Sequence, residues 1–181
     1  VLAMEETGVL EQVLPGAEAG GLVALCEAEK QASLSADPMR RVMALLARRG
    51  REVDAMAARL KLSNEEHRRL SAWASAGMDH VAGLAPRDLH AAIYAFGPEA
   101  VADRAVLEAA QTERTAELAE CLESIANWQR PVFPVGGDDA LAAGLAGPEI
   151  GQALRAAEAA WIDSDFALGR AALLTLLRRP D

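Results

Sequence analysis

The chain has 181 residues, of which 51% are hydrophobic and 25% charged, so it can bury a core in one domain or in a domain with a small appendage. No window approaches 18 uninterrupted apolar residues and no secretory signal pattern opens the chain, so we expect a cytoplasmic protein rather than a membrane-spanning or secreted one. Two cysteines, Cys26 and Cys121, are too few for a disulfide framework or a four-ligand zinc site, and we expect both in the core.

The formal net charge of -9 argues at first against a nucleic-acid partner, but the charges are unevenly distributed. Residues 40–69 contain nine Lys or Arg and four Asp or Glu, whereas the rest of the chain has nine basic and 23 acidic residues. An acidic protein with one basic region is typical of a binding face for a negatively charged partner.

Abundant Ala and Leu with few aromatic residues predict helices in chain order. A first helix is expected over residues 2–14, ending at Pro15-Gly16, and a second over residues 18–33. The third is expected to begin with Asp37 as N-cap and Pro38 in the first turn, with Gly50 just beyond its end.

The middle of the chain continues the helical pattern. A short fourth helix, residues 52–60, precedes Ser63 and Glu66, which have capping-box spacing for a fifth helix that ends near Gly77. Pro86 and Pro98 mark the first turns of two more helices. The remaining ranges predicted as helices here are residues 87–96, 99–109 and 113–128.

Prolines and glycines at residues 130–137 interrupt the pattern and predict an extended connector. Beyond it we expect three helices over residues 138–143, 148–161 and 166–178. The predicted fold is all-α: an irregular array of short antiparallel helices with a small C-terminal helical tail. We place a neck and body region at residues 1–129 and the tail at residues 130–181.

Arginines on the third helix are the first candidates for function. Arg41 and Arg48 are seven residues apart and share one stripe, opposite Met39 and Met43, so the sequence predicts that the arginines face outward. Guanidinium groups suit phosphate because several donors lie in one plane. Surface ion pairs with nearby carboxylates are the structural alternative. The candidate cations of this region are Arg40, Arg41, Arg48, Arg49, Arg51, Lys61, Arg68 and Arg69.

A second candidate is the predicted helix start at Gly147 and Pro148, where exposed backbone amides and the positive helix end favour an anion. A purely structural turn is the alternative, and Glu149 in the first turn would repel phosphate.

Other residue types carry no catalytic or metal pattern. Asp163-Ser164-Asp165 lies between helices, where Ser164 or Asp165 is expected to cap the next helix. The three histidines, at positions 67, 80 and 90, lack metal-ligand spacing, and no nucleophile motif is present. Trp73 and Trp161 are expected as core anchors rather than base-stacking platforms.

Residues 133–161, FPVGGDDALAAGLAGPEIGQALRAAEAAW, resemble the C-terminal signature of bacterial CCA-adding tRNA nucleotidyltransferases of the poly(A) polymerase family. Three earlier blocks occur in the family's order: TGVLEQVLPGA at 7–17, DPMRRVMALLARR at 37–49 and LKLSNEEHRRL at 60–70. The resemblance covers most of the chain and is weakest over residues 78–123.

The family's catalytic head, with its Gly-rich turn and metal-binding Asp-x-Asp strand, does not precede these blocks. Val1 stands in place of an initiating Met, so we expect a piece of a longer protein. The resemblance implies that the whole enzyme adds CMP and AMP from CTP and ATP to tRNA with two Mg²⁺ ions. It implies that this chain holds the tRNA acceptor arm, carries no cofactor of its own, and is inactive alone.

Two other interpretations remain open from the sequence. A poly(A)-adding relative would share the same body. A helical protein-interaction module, for example one that forms a homodimer, would bind no RNA and would expose an apolar patch of several hundred Å² instead of a basic one.

Overall fold

The computed structural model describes residues 1–46, 50–75, 80–112 and 116–178, and of residues 50–52 the backbone alone. In these ranges the chain is all-α, with twelve α-helices, one 3-10 turn and no strand, which confirms the predicted fold class. None of the described helices is long and apolar enough to cross a membrane. The helices are α1 Leu2–Glu6, α2 Val9–Val13, α3 Ala19–Gln31, α4 Pro38–Leu45, α5 Gly50–Leu60, α6 Asn64–Ser75, α7 Pro86–Phe96, α8 Pro98–Thr112, α9 Leu118–Asn127, α10 Gly137–Ala142, α11 Pro148–Asp163 and α12 Arg170–Leu177.

Two of the predicted helix starts with explicit capping residues are confirmed, those of α4 and α6. Asp37 Oδ1 accepts a hydrogen bond from the backbone N–H of Arg40 at 2.9 Å, which satisfies one of the free amides in the first turn of α4. Ser63 and Glu66 form a reciprocal capping box: the Glu66 carboxylate accepts from Ser63 N at 2.8 Å, and Ser63 Oγ accepts from Glu66 N at 3.3 Å.

Several predicted helix boundaries are wrong, among them the start of the helix predicted over residues 113–128, which begins at Leu118. The first helix is broken into α1 and α2 at Gly8, whose φ of 73° is accessible to glycine but interrupts a right-handed helix. Helix α4 ends at Leu45, and Gly50 is the first residue of α5 rather than the terminator of α4. The last helix begins at Arg170, since Asp165 and Phe166 both have positive φ and form a turn.

The chain packs as two compact units, and the division falls inside helix α7. One unit comprises Val1–Leu84 and Ala92–Trp128, and the other comprises Ala85–Ala91 and Gln129–Asp181. In the first unit α8 is central, because α3, α6, α9 and the 3-10 turn Val81–Gly83 all pack against it. Its core contains the fully buried side chains Leu25, Met43, Leu70, Ile93, Val101, Val106 and Leu118.

The second unit is built around Trp161, which is 3% exposed as expected for a core anchor. Phe133 lies against it with ring centroids 5.2 Å apart, and Phe166 meets it edge-on at 4.9 Å. Such tilted and edge-to-face arrangements add to the area that these rings bury. Arg170 of α12 donates to the Asp139 carboxylate and to the Pro134 carbonyl, so α12 is tied to α10 and the connector.

At Gly21 the backbone of α3 closely approaches the backbone of α4. A Cβ atom at this position would lie 2.1 Å from the backbone carbonyl oxygen of Ala44, far inside any real contact distance. At the adjacent Gly20 a Cβ would meet nothing within 4 Å. The packing of α3 on α4 therefore depends on the missing side chain at Gly21 and not at Gly20.

We expect Gly21→Ala to lower the free energy of unfolding by about 1–3 kcal/mol, because α3 and α4 must separate to admit the methyl group. Thermal and urea unfolding measure the change. Gly20→Ala is the matched control and should be neutral or stabilising by about 0.5–1 kcal/mol, since Ala is the better helix former. Equal effects of the two variants would contradict the close-approach argument.

Candidate functional site

Two of the predicted RNA-binding arginines are built into the interior. Arg40 and Arg69 have side chains that are each 14% exposed, and both bind the carboxylate of Asp103, which is fully buried on α8. Arg40 and Arg69 therefore do not belong to the outward-facing stripe that the sequence predicts from Arg41 and Arg48. Water cannot solvate a buried carboxylate, so Asp103 needs a paired cation, and Arg40 and Arg69 turn inward to supply it.

The buried cluster has a fork geometry. Arg69 donates from Nε to Asp103 Oδ2 at 2.7 Å and from Nη2 to Asp103 Oδ1 at 2.7 Å, a bidentate pair. Arg40 Nε donates to the same Oδ1 at 3.2 Å. Each oxygen of the fully buried carboxylate therefore accepts at least one charged hydrogen bond.

Asp37 links this cluster to the start of α4. Its Oδ2 accepts from Arg69 Nη2 at 3.0 Å, while its Oδ1 caps the helix. Partial burial raises the pKa of Asp37, but the hydrogen bonds from the Arg40 backbone and from Arg69 outweigh that cost and hold the pKa below its ordinary value. Hydrogen bonds to Asp103 and, secondarily, to Asp37 raise the pKa of Arg69, so the guanidinium stays charged.

Arg41 presents a different arrangement, with 43% of its side chain exposed. Its Nε and Nη2 both donate to Oε2 of Glu29, at 3.3 and 2.9 Å. Glu29 is 3% exposed, and its Oε1 is buried with no hydrogen-bond partner among the described residues. The hydrogen bond to Glu29 raises the pKa of Arg41. This pair joins α3 to α4 while leaving part of the guanidinium at the surface.

Of the other cationic candidates, two are described in full and three are not. Lys61 and Arg68 are exposed, on the turn after α5 and on α6. Arg48 and Arg49 lie outside the described residues, as does the side chain of Arg51. The predicted stripe of Arg41 with Arg48 therefore stays a prediction.

Gly147 and Pro148 begin α11 as expected, with Gly147 as N-cap at a φ of 57° and Pro148 in the first turn. The amides that an anion would need are partly occupied. Pro148 has no N–H, Glu149 N donates to the Ala146 carbonyl, and Ile150 N donates to the Gly147 carbonyl, both at 3.3 Å. Binding of an anion at this helix start stays a prediction.

Other residues considered from the sequence have structural partners. Ser164 is the C-cap of α11 and bonds the Trp161 carbonyl, so neither it nor Asp165 caps α12, whose N-cap is Gly169. Asp165 instead pairs with His90 Nδ1 at 2.9 Å. Within the described ranges no group of three or more His, Cys, Asp or Glu side chains is arranged to hold a metal ion.

The two cysteines lie in different environments, one buried and one exposed. Cys121 lies in the core of the first unit as expected, and burial raises the pKa of its thiol to about 11. Cys26 is exposed, which corrects the expectation of a core position. It lines an apolar groove of about 550 Å³ between α1 and α3, together with Val1, Leu2, Leu22 and Val23.

Asp103 and Glu29, the two carboxylates that organise this region, were not predicted from the sequence. A signal for Asp103 does exist, since Ala100, Asp103 and Leu107 lie at helical spacing and place an acid on the apolar stripe of α8. An acid on such a stripe requires a buried cation. Which cation pairs with it depends on helix packing and not on spacing.

Comparison with known proteins adds one likeness. No protein-family model matches the chain. A stretch of 68 residues is 43% identical to an uncharacterized 28 kDa protein in the petA 5′ region of Rhodospirillum rubrum, and it covers 33% of this chain and 27% of that relative. The relative carries no described activity, so the likeness assigns none to this chain.

We expect Asp103→Asn to lower the free energy of unfolding by about 3–5 kcal/mol, because it leaves Arg40 and Arg69 buried without their main counter-charge. Chemical unfolding of the two proteins measures the loss. Asp88→Asn is the control, because it removes the exposed pair with Arg87 and should cost less than about 1 kcal/mol. A loss at Asp103 no larger than at Asp88 would show that the cluster does not hold the helices.

Asp37 should make stability sensitive to acid. Its pKa in the folded chain lies below the ordinary 3.8, so its contribution is complete above about pH 5 and disappears as the pH falls through the folded-state pKa. Asp37→Asn should therefore destabilise most near pH 7, and its difference from the original chain should shrink below pH 4. Unfolding across pH 2–7 tests this, with the exposed Asp138→Asn as control. A difference that stays constant with pH would contradict it.

Proposed function

We propose that this chain is the RNA-holding body and tail of a CCA-adding tRNA nucleotidyltransferase and that it positions the tRNA acceptor arm for a separate catalytic head. The stretch of residues 133–161 carries the proposal, because it resembles the family's C-terminal signature over its whole length. That stretch contains the second half of the connector, α10 and most of α11, and it lies within one compact unit. The three earlier blocks that resemble the family are further support.

The exposed cations of the first unit suit a phosphate backbone. Arg41, Lys61 and Arg68 keep part or all of their side chains at the surface, whereas Arg40 and Arg69 are bound inside. The groove of A-form RNA that displays its bases is shallow, so proteins recognise such helices mainly by shape and backbone contacts. We therefore assign RNA contact to the three exposed cations and fold stability to the two buried ones.

In this proposal the chemistry belongs to the head. CTP, ATP and two Mg²⁺ ions would bind to residues that this chain does not supply, and the chain alone would be inactive in the cytoplasm. Its contribution is to hold the 3′ end of tRNA close to the reacting nucleotide, since fixing two reactants in the right geometry can remove a large part of a reaction barrier. A poly(A)-adding relative would use the same body in the same way.

A second function is favoured by one specific observation. The groove between α1 and α3 is lined by the exposed apolar side chains of Val1, Leu2 and Val23, which are 45%, 55% and 46% accessible. Exposed apolar surface that is contiguous is typical of protein–protein contact. A protein-interaction or dimerisation module therefore remains the alternative to RNA binding.

Fluorescence anisotropy with labelled tRNA lacking its CCA end tests the proposal. We expect saturable binding, and the logarithm of its association constant should fall linearly with the logarithm of the salt concentration. Lys61→Glu with Arg68→Glu should weaken binding by at least about tenfold and reduce the salt slope by about two, because two phosphate contacts are lost. Lys30→Glu is a matched reversal at an exposed lysine of α3 outside the basic region, and it should leave binding nearly unchanged.

The same titration separates the two functions. Absence of binding at low salt, together with a dimer in sedimentation, would reject RNA holding and favour the interaction module. Binding that the double reversal and the Lys30 control weaken equally would reject a specific role for Lys61 and Arg68. Circular dichroism of each variant establishes that the helices remain folded.

A further inference from the structure

We infer that Glu29 is a positioning residue that holds the Arg41 guanidinium at the surface in an orientation suited to an RNA phosphate. The inference rests on the proposed function and assigns one side chain to the recognition of the RNA backbone and a second to orienting it. It follows from the geometry of a single pair, in which a buried carboxylate binds a partly exposed arginine across α3 and α4.

The way in which Arg41 is bound determines which of its donors remain available. A guanidinium is planar and has five N–H groups, arranged along a side edge formed by Nε and Nη2 and an end edge formed by Nη1 and Nη2. Glu29 occupies the side edge, because both Nε and Nη2 donate to its Oε2. The end edge is the fork that can bind two oxygens of one phosphate, and neither hydrogen bond to Glu29 comes from its Nη1.

Burial of Glu29 makes it a poor device for stability alone. Its side chain is 4% exposed, and a carboxylate removed from water loses solvation that a half-exposed partner repays only in part. Its Oε1 is in addition buried with no hydrogen-bond partner among the described residues, which carries a further cost. An apolar residue at this position would fill the same space without either cost.

The stability cost of burying Glu29 has an explanation if RNA binding requires a rigid Arg41 side chain. A free surface arginine samples many rotamers and loses that freedom when it binds a phosphate, which weakens binding. Two hydrogen bonds that Arg41 donates to a fixed carboxylate restrict its side chain before RNA arrives. Arg40, the preceding residue on α4, is bound to Asp103, so the backbone that carries Arg41 is itself held in place.

Glu29→Gln tests the inference, because a purely electrostatic effect of Glu29 and a positioning effect predict opposite changes in tRNA affinity. Electrostatics alone predicts that loss of a negative charge beside the phosphate strengthens tRNA binding. Positioning predicts that binding weakens, by about three- to tenfold, with an unchanged salt slope because the number of neutralised phosphates is the same. Anisotropy with tRNA lacking its CCA end, at several salt concentrations, measures both quantities.

Two further variants complete the test. Arg41→Gln should weaken binding by about tenfold and reduce the salt slope by about one, and adding Glu29→Gln to it should cause no further loss, because Glu29 acts through Arg41. Arg41→Lys keeps the charge but loses the planar fork, so it should bind more weakly at an unchanged slope. It leaves Glu29 in place and serves if Glu29→Gln does not fold, as judged by thermal melting.

The outcomes separate this inference from the proposed function. If the original chain binds tRNA and Glu29→Gln binds it equally well or more tightly, Glu29 is not a positioning residue and the RNA-holding function stands. If Arg41→Lys binds tRNA as well as the original chain, the fork geometry is irrelevant and the inference is overturned. If the original chain binds no tRNA, the proposed function and this inference fall together.

Discussion

The buried carboxylate of Asp103 is the constraint on which the first unit depends. A fully buried charge in the middle of α8 is tolerated only because Arg69 from α6 and Arg40 from α4 bind it, and Asp37 completes the cluster at the start of α4. Helices α4, α6 and α8 are distant in sequence and must therefore pack so that Arg40 and Arg69 both reach Asp103. Hydrophobic burial supplies the driving force for packing, while the ionic cluster selects one arrangement among many apolar ones.

This constraint divides the basic region into two kinds of cation. Arg40 and Arg69 are held against Asp103 and are only 14% exposed, so the number of basic residues in this region overstates the charge that a partner could meet. Arg41 lies one position beyond Arg40 on α4, and a rotation of about 100° along the helix brings it to a different face, where Glu29 restrains it. The same short helix thus contributes one arginine to the interior and one to the surface.

The described part of the second unit is held together by aromatic packing rather than by a buried ionic cluster. Trp161, Phe133 and Phe166 form an aromatic cluster, and the turn after α11 places two residues, Asp165 and Phe166, at positive φ. Such conformations are unfavourable for residues with a side chain, and they persist where the surrounding contacts are strong. Contact of Phe166 with Trp161 and pairing of Asp165 with His90 supply those contacts. The sequence pattern predicts that the last helix begins at residue 166, within this turn, whereas α12 begins at Arg170.

The sequence alone determined the all-α fold class and several helix starts, because both depend on local chemistry. The starts are marked by a capping carboxylate at Asp37, a capping box at Ser63 and Glu66, and prolines that are tolerated in a first turn. The partner of each buried charge was decided by tertiary structure. Asp103 and Arg69 are 34 residues apart, and no local rule relates them. Outward and inward arginines look alike in a sequence, because the carboxylate that draws Arg40 and Arg69 inward is brought near them only by packing.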